Sequence, residues 1–357
     1  MTRSTMKNGR NLLPIARLRN AMRPKGTAPV WCWFYNYNWQ NNYFAWAMSE
    51  SVGQVPLLSD IPVTDETPDY EGFSATGIAM RREGAEPVGS VALLFSAASR
   101  DWNEGADFRP ELFGTAQALE ALHIPYRFVS DQDLENGLSP DYAVLFLGDA
   151  QCLSDAAVAG IRAFAARGGR VRLSGRAGSR NELGLLRQRS AFEDAAGFSF
   201  FRTPRAASFE LDENWIDLKW SFNPDPAAEA AFRAEVLDWA VSAGIWRIEA
   251  PDKVFTSVWR ERDGAYVVHF LNGTGVAMKP GDAVTPDAPD PAFPPVAEAM
   301  TITAPESAGT VAAAYSPEFS GARIVPVSAN DDGTVTAKLS PAMLKGYLLV
   351  RFGETVK

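Results

Sequence analysis

The sequence predicts a parallel α/β domain followed by a small all-β domain, and three observations support this. Short apolar runs alternate with amphipathic helical patterns between residues 88 and 174. After Gly244 the apolar residues recur in strand-length runs separated by turn residues. Of the 357 residues, 46% are hydrophobic and 22% are charged, which is typical of a folded globular protein and excludes disordered and collagen-like chains.

The segment before the α/β region predicts one strand followed by one helix. Residues 31–37 are rich in aromatic side chains, which favour extended structure. The apolar spacing of residues 43–51 suits a helix, which Gly53 and Pro56 end. Residues 60–87 are polar and contain prolines, so we predict a linker there with little regular structure.

The α/β region itself is predicted from its alternating elements. Apolar runs indicate strands at 90–95, 126–129, 142–147 and 170–173. One helix begins near Asp107 with Pro110 in its first turn, and another is capped by Ser154 and ended by Gly168-Gly169. This order favours a parallel sheet with helices on its faces.

The rest of the chain predicts one helix, over 228–243, and then antiparallel strands. Asp263-Gly264 is a hairpin turn between strands at 254–260 and 265–271. Six prolines among residues 279–295 indicate an exposed loop. Further strands are predicted near 300–304, 310–314, 334–339 and 347–352. Together these strands predict a small antiparallel β-sandwich.

Charge is distributed unevenly along the chain, whose net charge is −9. Residues 1–49 contain seven basic and no acidic side chains, which leaves 27 of the 34 basic residues and all 43 acidic residues in 50–357. An acidic body repels phosphate backbones, so we expect no nucleic-acid partner. The basic segment is predicted to be a solvated, partly frayed terminus; a nucleic-acid or membrane tether and a transit peptide are the alternatives.

No segment approaches 18 consecutive apolar residues, so we expect no membrane partner and a cytoplasmic location. The two cysteines lie 120 positions apart and only two histidines are present. These counts offer little for a thiolate metal site or a disulfide framework, so we expect no metal and no cofactor.

Several segments, in their order along the chain, resemble the C-terminal half of a glycoside hydrolase of the family 42 β-galactosidase type. The segments of the α/β region are VALLFS at 91–96, ALEALHIPY at 118–126, YAVLFL at 142–147 and IRAFAARGG at 161–169. They are similar to that family's trimerisation domain, which implies a class I glutamine-amidotransferase-like fold. YVVHFLN at 266–272 resembles the first strand of the family's C-terminal β-sandwich, and residues 29–58 resemble the last strand and helix of its catalytic barrel.

The resemblance implies three regions. Residues 1–75 would be the basic arm, a partial barrel βα unit and a linker. Residues 76–245 would be the amidotransferase-like, trimerisation-type α/β domain, and residues 246–357 the β-sandwich. It also implies a homo-oligomer, a trimer or a dimer.

The family's catalytic glutamates belong to barrel strands upstream of the part that this chain resembles. About 75 residues cannot close a (β/α)₈ barrel. Retaining hydrolysis needs two carboxyl groups ~5 Å apart on rigid elements. The acidic residues available before the α/β region are Glu50, Asp60, Asp65, Glu66, Asp69 and Glu71. They fall on the predicted helix or in the linker, so we assign no catalytic residue.

Amidotransferase chemistry is a second possibility for the α/β region, but it needs a cysteine at a strand-to-helix elbow with a histidine base. The fourth strand is followed by Ser174-Gly175, with no cysteine. Cys152 precedes a helix that could lower its pKa, but we expect it and His123 to be structural. The turn-rich loop at 174–180 is predicted to be a solvated connection, with anion binding as the alternative.

The aromatic segment is the most specific local signal, because nine of the sixteen residues from 31 to 46 are aromatic and asparagines lie between them. Aromatic faces stack on sugar rings and amides bind hydroxyls, so Trp33, Tyr35 and Trp39 are candidate carbohydrate-binding residues. The alternative is that these rings pack in a core beneath the neighbouring domain.

The sequence therefore favours a non-catalytic or incomplete glycoside-hydrolase-like protein that assembles an oligomer and supports a carbohydrate-active site. It could be one part of a split β-galactosidase-like enzyme whose barrel subunit is encoded separately. Two alternatives stay open. One is an active glycoside hydrolase on a galactoside-type substrate, and the other is a stand-alone carbohydrate-binding protein.

Overall fold

The structure is a computed structural model of the chain. It describes residues 9–23, 29–33, 38–105, 108–193, 200–203, 210–211, 220–221, 226–241, 243–275 and 292–353. Within these ranges the chain is a mixed α/β protein with both parallel and antiparallel sheets. The predicted loop at 279–295 lies mostly outside the described residues.

Residues 9–21 of the basic N-terminal segment form a packed helix, which corrects the prediction of a solvated, frayed terminus for that part, whereas residues 1–8 and 24–28 lie outside the described residues. Helix α1 (Gly9–Ala21) buries Leu13, Ile15 and Leu18. Arg17 on the same helix is also largely buried, and its guanidinium lies 2.7 Å from the Glu120 carboxylate. The apolar stretch at 12–16 of the sequence was the missed signal, since it supplies the face that α1 buries.

The next region is a parallel βαβ unit. Strand β1 (Trp31–Trp33) is followed by helix α2 (Trp39–Ser51), capped by Asn38, and by strand β2 (Val55–Leu57), which pairs parallel to β1. The strand and helix were predicted. The second strand was missed because Pro56 lies inside it, which is tolerated here because β1–β2 is a two-stranded sheet and both strands are edges.

The predicted linker holds two short elements, helix α3 (Tyr70–Ala75) and strand β3 (Glu86–Pro87), and is otherwise irregular. Tyr70 and Phe73 on α3 are buried. The linker is therefore anchored to the protein body at its one helical turn.

A five-stranded parallel sheet forms the centre of the α/β region, in the order β5-β4-β6-β7-β8. Its strands are β4 (Val91–Phe95), β5 (Tyr126–Ser130), β6 (Val144–Gly148), β7 (Arg170–Ser174) and β8 (Phe200–Thr203). Four of these strands were predicted from their apolar runs. Strand β8 was missed because periodic signals weaken after residue 180.

Helices cover both faces of this sheet. They are α4 (Ala97–Trp102), α5 (Arg109–Ala121), α6 (Asp131–Glu135), α7 (Asp155–Ala166) and α8 (Pro226–Ala240). Side chains of α5 and α8 share one core with the sheet, and side chains of α6 and α7 share another. Ser154 caps α7 as predicted, by accepting a hydrogen bond from the Ala157 amide. The one-turn helices α4 and α6 are too short for a sequence period to reveal.

Two antiparallel sheets follow, and they share one core. The first sheet has the strand order β16-β15-β19-β13-β12-β3. Besides β3 it comprises β12 (Val254–Arg260), β13 (Tyr266–Asn272), β15 (Ala312–Ser316), β16 (Phe319–Val325) and β19 (Tyr347–Phe352). The second, in the order β11-β14-β18-β17, comprises β11 (Arg247–Glu249), β14 (Met300–Pro305), β17 (Val327–Ala329) and β18 (Thr334–Leu339). A further pair, β9 (Glu210–Leu211) and β10 (Trp220–Ser221), stands apart from both sheets. The predicted hairpin is present, with β12 and β13 paired from Val254↔Asn272 to Arg260↔Tyr266.

Candidate functional site

The carboxyl edge of the parallel sheet is a candidate site, because open α/β sheets bind ligands at this edge where the strand order reverses. The reversal lies between β4 and β6, since β5 is on the other side of β4. The loops that follow β4, β6 and β7 meet there, and they bring together Asn103, Asp149 and Arg176.

A buried ion cluster fills the space beneath these loops. The Arg172 guanidinium on β7 lies 3.4 Å from the Glu111 carboxylate on α5 and 2.6 Å from that of Glu235 on α8. Arg172 and Glu111 are each only 2% exposed. Arg172 thus pairs with carboxylates on two helices and joins both helices to the sheet.

Of the predicted loop at 174–180, Ser174, Ala177 and Gly178 are buried and Arg176 is exposed, so the loop is only in part the solvated connection that was predicted. Its Arg176 amide donates a 2.7 Å hydrogen bond to Asp149, so a carboxylate of the protein itself occupies the anion position. Gly175 has a φ of +49°, and a Cβ there would lie 2.5 Å from the Asp149 carboxylate. Only glycine suits this turn.

Ser174 takes the place at the end of β7 where an amidotransferase-like domain would carry its nucleophile. Its hydroxyl donates a 2.5 Å hydrogen bond to Glu111 and is fully buried. Burial raises the pKa of the Glu111 carboxyl, which the hydrogen bond from Ser174 and the charge of Arg172 oppose. This serine has no histidine among its described hydrogen-bond partners and no access to solvent, so the arrangement is structural.

Cys152 and His123 are both buried and do not meet. Cys152 follows β6, its amide is bound by the Ser99 hydroxyl at 3.0 Å, and burial raises the pKa of its thiol. His123 follows α5, and its Nε2 lies 2.8 Å from the Ala250 carbonyl oxygen. A raised thiol pKa is the opposite of what a nucleophile needs.

The aromatic segment lies largely in a core. The Tyr43 and Trp46 rings stack at 5.8 Å, and the Trp46 ring meets that of Tyr347 edge-on at 5.0 Å. Tyr43, Phe44 and Trp46 are at most 2% exposed, as the packing interpretation predicted for this part of the segment.

The three proposed carbohydrate-binding residues are less well defined. Trp39 begins α2, is half-buried and packs against the same core. The side chain of Trp33 and all of Tyr35 lie outside the described residues. Carbohydrate binding at Trp33, Tyr35 and Trp39 stays a prediction.

The carboxylates of the first 75 residues form no catalytic pair among the described residues. Glu50 is fully buried on α2, where it is ion-paired with Arg82 and accepts a hydrogen bond from Ser74. Burial raises the pKa of Glu50, and Arg82 opposes this. The other five acidic residues, Asp60, Asp65, Glu66, Asp69 and Glu71, are exposed.

His269 lies in the core between α2 and the larger antiparallel sheet. It is fully buried on β13, and its Nδ1 lies 2.7 Å from the Tyr347 hydroxyl. Burial, with the charges of Arg351, Arg82 and Arg17, lowers its pKa to about 3. His269 is therefore a neutral core residue at physiological pH, remote from a reactive surface.

An exposed apolar patch, which was not predicted from the sequence, lies at the carboxyl edge. It comprises Trp102 on α4 and three leucines of the loop after β7, and the exposed fractions of these side chains run from 56% to 71%. The leucines are Leu183, Leu185 and Leu186. We call these four residues the leucine patch. A run of leucines in a polar segment without helical or strand period was the available signal.

Hydrogen bonds hold the leucine patch in place. Asn181 accepts from the amides of Leu183 and Leu185 at 3.1 and 2.9 Å. Arg180 donates to the Gly184 carbonyl at 2.6 Å, and a Cβ at Gly184 would lie 2.9 Å from Cβ of Trp102. The leucines are thus presented by a fixed loop.

The described ranges hold neither a candidate metal site nor a candidate membrane-spanning helix. No group of three or more histidine, cysteine and acidic side chains gathers where a metal ion could be held. No described helix combines the length and apolar character that crossing a membrane requires.

Comparison with solved structures relates this fold to glycoside hydrolases. The α-L-fucosidase isoenzyme 2 of Paenibacillus thiaminolyticus aligns with 97% of this chain at a TM-score of 0.58 and 13% identity. The GH42 β-galactosidase Gan42B of G. stearothermophilus aligns with 98% at a TM-score of 0.56 and 10% identity. The cold-adapted β-galactosidase of Rahnella sp. R3 aligns with 95% at a TM-score of 0.52 and 13% identity. No family model and no curated protein matches the sequence.

The chain is similar in fold to part of a glycoside hydrolase. It spans 63%, 57% and 59% of the lengths of these three proteins, respectively. At such identities the likeness concerns the fold alone. Function must therefore be argued from the sites.

Proposed function

We propose that this chain is the assembly part of a β-galactosidase-like glycoside hydrolase, and that it performs no hydrolysis itself. The α/β region would be an amidotransferase-like, trimerisation-type domain, followed by a β-sandwich and preceded by the last βα unit of a catalytic barrel. The neighbours' fold and their greater length support this assignment. The barrel would come from residues other than the described ones, and a separately encoded subunit is one source.

The main observation that supports the assembly role is the exposure of the leucine patch. Monomeric proteins rarely expose several large apolar side chains together, and such patches mark protein interfaces. Because hydrogen bonds already order the loop, docking would cost little conformational entropy. We infer that a second copy of this chain covers the patch in a homo-oligomer, a trimer or a dimer.

The absence of a usable catalytic pair among the described residues supports the non-catalytic part of the proposal. Glu50 and Glu111 are each held by an arginine and shielded from solvent. A glycosidase acid and its partner must both face one substrate. Neither carboxylate can reach a sugar without breaking its ion pair with Arg82 or Arg172.

The assembly role predicts the effect of charge in the leucine patch. The purified chain should elute as an oligomer in size-exclusion chromatography with light scattering, and L185D/L186D should elute as a monomer. The matched control is Val63→Asp, which places a charge at another exposed apolar site, 77% exposed, and should keep the oligomer. A wild-type monomer at micromolar concentration would contradict the assembly role, provided that circular dichroism shows a folded chain.

The catalytic part is tested separately with a chromogenic galactoside. The purified chain alone should release no chromophore above the blank. Activity that purifies with this chain would overturn the non-catalytic assignment and favour the alternative of a complete glycosidase. Activity that appears only on addition of a barrel subunit would support the split enzyme.

A further inference from the structure

A cleft of about 510 Å³ separates the α/β region from the antiparallel sheets. Its walls come from the segments before β4, β5 and β6, the end of α8, and strands β11, β12 and β13. This lies at the amino ends of the parallel strands, opposite the edge that carries the leucine patch. Its volume is within the range of small-molecule sites, about 300–1,000 Å³.

Two aromatic side chains line this cleft. Trp246 and Tyr266 are half-buried, their ring centroids lie 5.2 Å apart, and the rings are tilted by 52°. Trp246 is fixed from behind by the buried Phe352 ring, at 6.2 Å and nearly perpendicular. Rigid aromatic surfaces that keep part of their faces open can pack against the C–H face of a sugar ring.

Charged side chains of both signs surround the aromatic pair. Arg247 on β11 and Arg260 on β12 are exposed at the cleft, as are Glu86 on β3 and Asp141 before β6. The arginines can only donate hydrogen bonds, and the carboxylates can only accept them. The hydroxyl groups of a neutral ligand can bind both kinds of side chain. An anion would be repelled by the carboxylates, and a cation would be repelled by the arginines.

His123 holds the two walls together. Its Nε2 bonds the Ala250 carbonyl after β11, which ties the end of α5 to the antiparallel region. With a φ of +53°, it is the one non-glycine residue with positive φ in the described part of the chain. This is the left-handed conformation of a helix C-cap, in which the Ile124 amide donates a 3.0 Å hydrogen bond to the Leu119 carbonyl, and it fixes where the chain leaves α5 and enters the cleft wall.

We propose that this cleft binds a neutral saccharide of one or two rings. The aromatic pair supplies the stacking surface, the arginines donate to ring hydroxyls, and Glu86 and Asp141 accept from them. The site is remote from the leucine patch and needs no catalytic barrel. The inference therefore stands independently of the assembly role.

The test is titration of the full chain with galactose, lactose and maltose, followed by calorimetry and by tryptophan fluorescence. Galacturonate is the charged comparison. At least one neutral sugar should bind, and Trp246→Ala should weaken the affinity for that sugar tenfold or more. Arg247→Ala changes an exposed side chain whose charge acts on the exposed Asp332 carboxylate without a close ion pair among the described residues, so it should weaken binding without unfolding the chain.

The control is Ile324→Ala, which removes an exposed apolar side chain outside both the cleft and the leucine patch and should leave sugar affinity unchanged. Three results would overturn the proposal. They are no binding of any neutral sugar at millimolar concentration, binding that survives both Trp246→Ala and Arg247→Ala, and binding of galacturonate alone.

Discussion

At the scale of single residues, Arg172 shows what a buried charge requires. Only 2% of this side chain is exposed, and the carboxylates of Glu111 and Glu235 together satisfy its guanidinium. The desolvation cost of three charges is offset only while all three remain paired. We therefore interpret the cluster as fixing the positions of α5 and α8 on the sheet, and not as a source of net stability.

Arg172→Met should therefore lower the free energy of unfolding by about 3–5 kcal/mol, because it leaves Glu111 buried without its cation. The measurement is urea denaturation at neutral pH. The double variant R172M/E111Q should recover part of the loss, since it removes the stranded charge. Equal losses in the single and double variants would show that the cluster matters only for packing.

The matched control is Arg81→Met, at an exposed ion pair. The Arg81 guanidinium lies 2.5 Å from Asp263, and both side chains are about half exposed. Exposed pairs contribute about 0–1 kcal/mol, so this variant should remain near wild-type stability.

At the scale of elements, the sequence located the strands and helices whose periods are long enough to read. The buried parallel strands β4 and β6 are continuous apolar runs, and α7 has a cap, a stripe and a glycine stop. The elements that were missed depend on contacts between residues that are distant in the sequence. Helix α1 has a local apolar stretch at 12–16, but its contacts with α5 and β12 through Arg17 join residues distant in sequence, which the local pattern does not predict.

The candidate sites were harder to predict than the elements. That no cysteine lies at the end of β7 followed directly from Ser174-Gly175 in the sequence. The closure of the 174–180 loop by Asp149 did not, because the two are brought together by the register of β6 and β7. The cleft near Trp246 and Tyr266 was missed for the same reason, since its walls are distant in sequence.

Helices α6 and α7 approach so closely that there is no room for a methyl group between their backbones. A Cβ at Gly160 on α7 would overlap the carbonyl oxygen of Leu134 on α6. In an isolated helix, glycine to alanine stabilises by about 1 kcal/mol. Here Gly160→Ala should instead destabilise by about 1–3 kcal/mol, because the carbonyl is backbone and cannot rotate away.

Thermal or urea denaturation checks the sign of this change. Ala159→Gly, at the neighbouring exposed position of α7, is the control and should cost about 1 kcal/mol from helix propensity alone. A Gly160→Ala variant that is more stable than wild type would show that α6 moves aside freely.

At the scale of the whole molecule, burial of every histidine couples stability to pH. The chain has two histidines, His123 and His269, and both are buried. Burial lowers the pKa of His123, and it is the main cause that lowers the pKa of His269 to about 3. The unfolded chain therefore binds protons at these residues at a pH where the folded chain does not.

The direction in which the free energy of unfolding changes with pH depends on whether the folded or the unfolded chain binds protons first. As pH falls below about 6.5, the unfolded histidines take up protons first, so acid favours unfolding. For His269 the loss should continue towards pH 3, at up to about 1.4 kcal/mol per pH unit. Buried carboxyls with raised pKa, Glu50 and Glu111 among them, act in the opposite direction at lower pH, because their folded forms protonate first.

Comparison between variants isolates the histidines from these carboxyls. The free energy of unfolding of wild type should fall between pH 7 and pH 5, and His269→Gln should show a shallower fall over the same interval, whatever its stability at pH 7. Glutamine keeps a polar group near the Tyr347 hydroxyl but does not titrate. His123→Gln should flatten the curve in the same way, and the double variant more than either. Parallel curves for wild type and His269→Gln would mean that His269 protonates as readily in the folded chain as in the unfolded one, which its burial among Arg351, Arg82 and Arg17 opposes.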